Sequence, residues 1–414
     1  MYSRKSQVEI VSEAEPPSWD YLQCIRYYFT IARPSRALEH GKVVEPYFHP
    51  KHATYYICVT IADQLRNLAR SRGRLLTPGE EPSFLGRLWE KYNQYLLQIV
   101  MTVNEHLHGN KHGEHDAQKR LIIPGVISYI YVLVGFDLGL ASGLWLSHVK
   151  GFLAYTQHCG GPKAVIQTPG AHFPFARFFS KVVTFNTITP AKQQLLGYSD
   201  YTERQIETLL GYEFDMDNPF PMDARIAVVR ITRLRHQVAT GTISTLAVPH
   251  AIKKVFKKLS GVDIDSWVRK DNPLESDIAY EMGRIFCSAV WVYGLLTLPR
   301  SALSAWATTQ PGIGSNASFE SLLSFYTSQL LEQLRELFPL VAYKPSFKWA
   351  LAVAGVATAT RAPADRSFVD DCLLSIWLHP QSSGAVLICL EKLRAFWSSG
   401  KTGWEDCFDE PCAL

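Results

Sequence analysis

No C-x2-C pair occurs anywhere in the 414 residues. The eight cysteines, Cys24, Cys58, Cys159, Cys287, Cys372, Cys389, Cys407 and Cys412, are scattered through apolar stretches. This excludes a zinc ribbon or finger of ordinary spacing and a dense disulfide scaffold, and it suits a reducing compartment. Cys407 and Cys412 form a C-x4-C pair, but a zinc site needs four ligands and no second pair lies near. The phosphate loop G-x-x-x-x-G-K-[ST], the dinucleotide fingerprint G-x-G-x-x-G, H-E-x-x-H and G-x-S-x-G are all missing, which removes several common enzyme classes. Runs of strict apolar–polar alternation are lacking, so a sheet is not expected. Charge of one sign is lacking too. Lys plus Arg total 42 against 38 Asp plus Glu, a net charge of +4, and no partner class is selected by so small a balance. The polar start, Met1 to Gln7, has no apolar core of a secretory leader.

What the sequence does have is apolar and aromatic mass: 47 % hydrophobic residues, with 10 Trp, 19 Tyr and 21 Phe. That excludes general disorder, because the chain can bury enough apolar surface to offset its conformational entropy. The spacing is helical. Leu85, Leu88, Tyr92, Leu96, Ile99, Val103 and Leu107 recur at steps of three and four, which predicts one helix over 83–108. An earlier helix carries Ile57, Ile61, Leu65 and Leu68, and another begins at Ser18. Further helices are expected near 142–158, 172–187, 200–210, 223–239, 246–259, 274–298, 319–338, 365–378 and 383–399. Glycine and proline signals stop them. The fold class read from this is all-α, a large irregular helical assembly.

Residues 1–17 read as a disordered lead and 18–414 as one helical domain. The Gly- and Ser-containing stretch 308–318 is a candidate boundary between two helical lobes. No internal repeat appears, so a solenoid is not supported. From Leu121 to Ser147 only Asp137 is charged. The run is long enough to invite a membrane span, but Pro124 and several glycines interrupt it, and Asp137 would sit deep in lipid. A buried helix pair is the expectation, with no membrane contact.

Three clusters carry conceivable chemistry. His106, His108, His112 and His115, beside Glu105, Glu114 and Asp116, offer metal-ligand types at a spacing that matches no standard site. Lys253, Lys254, Lys257 and Lys258 make one basic helix face, and Arg225, Arg230, Arg233 and Arg235 a second cluster. Both read first as solvated surface and second as phosphate contacts. The tryptophans, among them Trp291, Trp349, Trp377, Trp397 and Trp404, read as core. No catalytic, cofactor or metal residue is assigned from these patterns.

The stretch from Trp145 through His148 and Gly151 to Gly160-Gly161 is more specific. It resembles the W-x-x-H-L-x-G-A helix and glycine stop of the fungal-specific transcription factor domain, the all-helical regulatory part of Zn2Cys6 regulators. Trp145, Val149 and Phe152 share one face, Gly151 suits a close helix approach, and Gly160-Gly161 suits a cap. Ser18 to Tyr28, Lys348 to Gly355, and Phe396-Trp397 with Gly403 to Glu405 resemble other parts of that domain in the same order. The family's six-cysteine head does not appear in this sequence, and Phe152 stands where the family has a small residue.

The resemblance implies a nuclear regulator of transcription, of the kind that controls a secondary-metabolite gene cluster. Without a zinc cluster it would act through a DNA-binding or other protein partner, or through a bound small-molecule effector, with no sequence-specific DNA binding of its own. Two alternatives stay open at this stage. One is an enzyme built on the same helical scaffold and acting on an apolar biosynthetic intermediate. The other is a membrane-associated accessory protein resting on residues 121–147.

Overall fold

The computed structural model describes Cys24, Tyr27 and residues 53–76, 83–108, 116–211, 219–269, 276–307, 318–380 and 382–414. Among these are 17 α-helices and no strand, so the chain is all-α as its periodicity predicts. The chain divides into two compact units, residues 1–113 and 114–414. The lead 1–17, the segment 18–21 and most of the stretch 308–318 lie outside the described residues. The helices on either side of that stretch both belong to the second unit.

The first unit pairs α1 (Ala53–Arg72) with α2 (Ser83–His108). Ile57, Cys58, Ile61 and Leu65 of α1 are buried, as are Leu85, Trp89, Tyr92, Ile99 and Val103 of α2. These are the stripes expected of two amphipathic helices. One acid is buried with them. Asp63 takes hydrogen bonds from the Tyr27 hydroxyl and the Arg66 guanidinium. Burial alone would push its carboxyl up, but Arg66, Tyr27 and Arg70 together hold it below the ordinary carboxylate value.

The second unit begins with α3 (Asp116–Leu140), one continuous helix through Pro124. The sequence suggests a broken pair here. The glycines are tolerated because Val126, Ile127, Leu133, Val134 and Phe136 are buried, and packing outweighs helix propensity. The helix stops where Ala141 (φ 56) and Gly143 (φ 82) turn left-handed. Its residues 123–140 are long and apolar enough to cross a membrane, and half of that window is buried within the protein.

Next come α4 (Trp145–His158), the short α5 (Gly161–Gln167), α6 (His172–Thr187) and α7 (Glu203–Leu210). The middle of the unit is formed by α8 (Met222–Ala239), α9 (Val248–Ser260), α10 (Ile264–Arg269), α11 (Ser276–Thr297) and α12 (Arg300–Ala307). The last helices are α13 (Phe319–Leu337), α14 (Lys348–Ala357), α15 (Pro363–Leu378), α16 (Ala385–Ser399) and α17 (Trp404–Cys407).

The core centres on α11 and α14. All ten residues of α14 are buried, as its nearly all-apolar sequence requires. It touches α11, α13, α15 and α16. Close approach depends on glycine at two points. A Cβ at Gly294 would stand 2.8 Å from the Phe256 ring, and one at Gly355 would stand 2.8 Å from Leu393 Cδ1 and Cδ2.

Candidate functional site

The motif helix α4 is held from both sides by its own residues. Trp145 meets Phe185 of α6 edge-on at 5.1 Å between ring centroids. Val149 and Phe152 are buried, and Phe152 stacks on Phe178. His148 Nε2 lies 3.0 Å from Oδ2 of Asp137, the carboxylate buried near the end of α3. The Ser142 hydroxyl donates to Oδ1 of the same carboxylate at 2.5 Å. Asp137, the residue that sits oddly in an apolar run, therefore anchors the turn between α3 and α4.

Gly151 is exposed, and a Cβ there would meet nothing within 4 Å, so the close helix approach read from the sequence is absent. Gly160 (φ 95) and Gly161 (φ 84) are both left-handed and redirect the chain from α4 into α5. Gly160 N–H closes the turn on Gln157 O at 3.0 Å.

A buried polar hub gathers residues that are distant in sequence. On α8, Arg235 Nε and one terminal nitrogen meet Glu405 Oε1 at 2.6 and 2.5 Å. Its guanidinium also donates to the carbonyls of Thr187 and Thr189, each at 2.9 Å. Trp404 Nε1 donates to Thr187 O and Trp349 Nε1 to Thr187 Oγ1, both at 2.9 Å. Glu405 Oε2 accepts from Ala191 N–H, and His236 Nδ1 donates to Ala191 O at 2.7 Å. Tyr293 shares a 2.9 Å hydrogen bond with Thr232, one turn before Arg235's neighbour His236. Carbonyls at the end of α6 are thus satisfied by side chains of α8 and α17, while Trp349 of α14 holds the Thr187 hydroxyl.

Beside the hub lies a cavity of about 20 Å³, lined among others by Thr184, Thr187, Phe220, Arg225 and Trp349. It has room for one water, not for a metabolite. Arg225 there donates to Leu210 O at 3.1 Å.

The arginine cluster of the sequence therefore separates. Arg225 and Arg235 are buried and bound to backbone carbonyls, not solvated. Arg230 and Arg233 face outward toward Glu203, at 2.7 and 4.0 Å. The four lysines of α9 are exposed, with Val255 and Leu259 buried behind them, as expected.

Among the described residues no group of three or more His, Cys, Asp or Glu could hold a metal. His112 and His115 lie outside the described residues. Cys407 and Cys412 gain a neighbour that sequence spacing did not show. The buried thiols of Cys412 and Cys389 are hydrogen-bonded to each other; that bond pushes the Cys389 thiol up and holds Cys412 down against the opposing effect of its burial. The hub was also missed. Its local signal was slight: Arg235 follows Leu234 directly and stands four residues after Ile231, on the buried side of α8.

No family model matches the chain, and no solved structure matches it. It is similar to a fungal protein, the phomenoic acid biosynthesis cluster-specific transcriptional regulator of Leptosphaeria maculans. The two are 22 % identical over 368 residues, covering 86 % of this chain and 64 % of that protein. The chain thus spans just under two thirds of that relative's length. The likeness supports a relationship to fungal transcription regulators.

Proposed function

We propose that the chain is the helical regulatory region of a nuclear transcription regulator that controls a secondary-metabolite gene cluster. The observation that carries this is the likeness to a cluster-specific regulator over 86 % of the chain. The all-helical architecture and the α4 motif with its Asp137–His148 anchor support it. These 414 residues contain no zinc cluster, so DNA is read by an element outside them, on a partner regulator or elsewhere. In this reading α3 is a core helix and not a span, because Asp137 has its partners inside the protein. The cavity beside the hub is the size of one water, so an effector that used it would first have to part α6, α8 and α14.

The test is a deletion strain with transcripts and metabolites measured together. Loss of transcription of a set of neighbouring biosynthetic genes is the expected outcome. Normal transcripts with one accumulated intermediate would overturn the reading in favour of an enzyme.

A further inference from the structure

Residues 224–262 contain four arginines and four lysines and no aspartate or glutamate. They build α8, α9 and the turn between them, and the two helices pack together. The buried members, Arg225 and Arg235, are engaged by backbone carbonyls and Glu405. The exposed members remain on the surface of the pair. Lys253, Lys254, Lys257 and Lys258 stand at i, i+1, i+4 and i+5 on α9, one outward ridge. Ile252, Val255, Phe256 and Leu259 occupy the opposite, buried face, so the ridge cannot rotate inward.

No carboxylate lies within ion-pair distance of these four lysines among the described residues. Glu203 of α7 is the acid that feels Lys258, and it is already shared by Arg230 and Arg233. Some exposed cations elsewhere are matched, such as Arg284 with Glu281, Arg335 with Asp365 and Arg394 with Asp370, while others, such as Lys163 and Lys192, stand singly; the ridge differs in setting four side by side.

We infer that the α8–α9 ridge binds the phosphate backbone of duplex DNA without reading its sequence. Charge complementarity asks for a polyanion. The residue types choose between an acidic protein and a nucleic acid. Protein interfaces are built around buried aromatic or aliphatic anchors and are depleted in lysine. This ridge is lysine throughout, and its apolar residues face the core. Leu246, the large apolar side chain exposed nearby, precedes the start of α9. Lysine meets phosphate as a mobile point charge, whereas the planar carboxylate fork is the province of arginine. The four lysines bring no Asn, Gln or Arg fork to pair with base edges, so the ridge is assigned to the phosphate backbone alone. The ridge would hold regulatory DNA loosely while another element selects the site. This inference does not rest on the regulatory reading: DNA binding without any transcript change would sink that reading and leave this one.

The test titrates the full chain into fluorescein-labelled duplexes of about 20 base pairs and two unrelated sequences, at about 50 and 200 mM salt. Both duplexes should bind equally, and binding should weaken about 10²-fold between the two salt concentrations, the loss expected for about four phosphates neutralised. The variant K253A/K254A/K257A/K258A should lose most of that salt slope while keeping the wild-type circular dichroism. K253A/K254A alone should lose about half of it, and it covers the case in which the fourfold variant fails to fold. Absence of binding at the lower salt would overturn the proposal. So would an undiminished slope in the folded variants, or equal binding of a polyglutamate peptide.

Discussion

Trp349 and Trp404 place their indole N–H groups on the same residue, one on the Thr187 hydroxyl and one on its carbonyl, each at 2.9 Å. Two helices far apart in sequence, α14 and α17, are thereby fixed to the end of α6. Trp404→Phe keeps the ring volume near to native but removes one donor from a buried carbonyl. It should lower unfolding free energy by about 1–3 kcal/mol. Arg235→Met should cost more, since it strips two carbonyls and Glu405 at once. Urea unfolding followed by tryptophan fluorescence for Arg235→Met, and by circular dichroism for Trp404→Phe, measures both. A variant of either kind as stable as wild type would show that the hub contributes nothing.

Ala141 is the one non-glycine residue with positive φ among the described residues. A Cβ in the left-handed region costs about 1–2 kcal/mol. Ala141→Gly should therefore stabilise the second unit by about 1 kcal/mol, less the extra freedom glycine gives the unfolded chain. Differential scanning calorimetry should show a raised melting temperature. A fall would mean that the strain is not there.

Asp365 bridges two arginines, accepting from Arg335 at 2.6 Å and Arg361 at 2.8 Å. Partial burial pushes its carboxyl up, but these guanidinium partners hold it below the ordinary value of 3.8. A depressed carboxylate stabilises the fold fully above its unfolded pKa, and that share is lost as pH falls through the lower folded value. Stability measured from pH 5 down to about pH 2 should drop, and Asp365→Asn should flatten part of that drop while lowering stability at pH 7. Equal slopes for the two proteins would sink the assignment.

Gly355 faces Leu393 across the α14–α16 contact, with 2.8 Å left for a Cβ. Gly355→Ala should cost about 1–3 kcal/mol through overpacking. The pair Gly355→Ala with Leu393→Ala should recover part of it, since the smaller side chain leaves the methyl its space. Additive losses in a double-mutant cycle would contradict direct contact.

Much of the fold was legible because helix faces repeat. The helices expected over 83–108 and 172–187 match α2 and α6 in their bounds, and α9 turns its lysines out as its spacing requires. What was not legible depended on tertiary contact. Pro124 and the glycines of α3 look like breaks in sequence, yet packing carries one helix through them. Four arginines within one helix look like a charged surface, and little local announces that carbonyls at the ends of α6 and α7 wait for Arg235 and Arg225. Gly151 fits a family pattern without the close contact that pattern suggests. Cys389 joins Cys412 only once α16 and the segment after α17 are folded together. In the candidate site, Trp145, His148, Gly160 and Gly161 were found by resemblance. Asp137 was noticed only as an oddity in an apolar run.

The Arg235–Glu405 contact has a bearing on genetics. A stop codon or frameshift just after Ser399 takes away residues 400–414 with anything beyond them, a stretch that looks dispensable on a gene map. It also deletes Trp404 and Glu405, leaves Arg235 facing carbonyls without its counter-charge, and opens the end of α6. Alleles truncated there should behave as nulls through loss of the folded protein. A reporter fused at that point would produce the same null, and a mapper could mistake either for the loss of an activating tail.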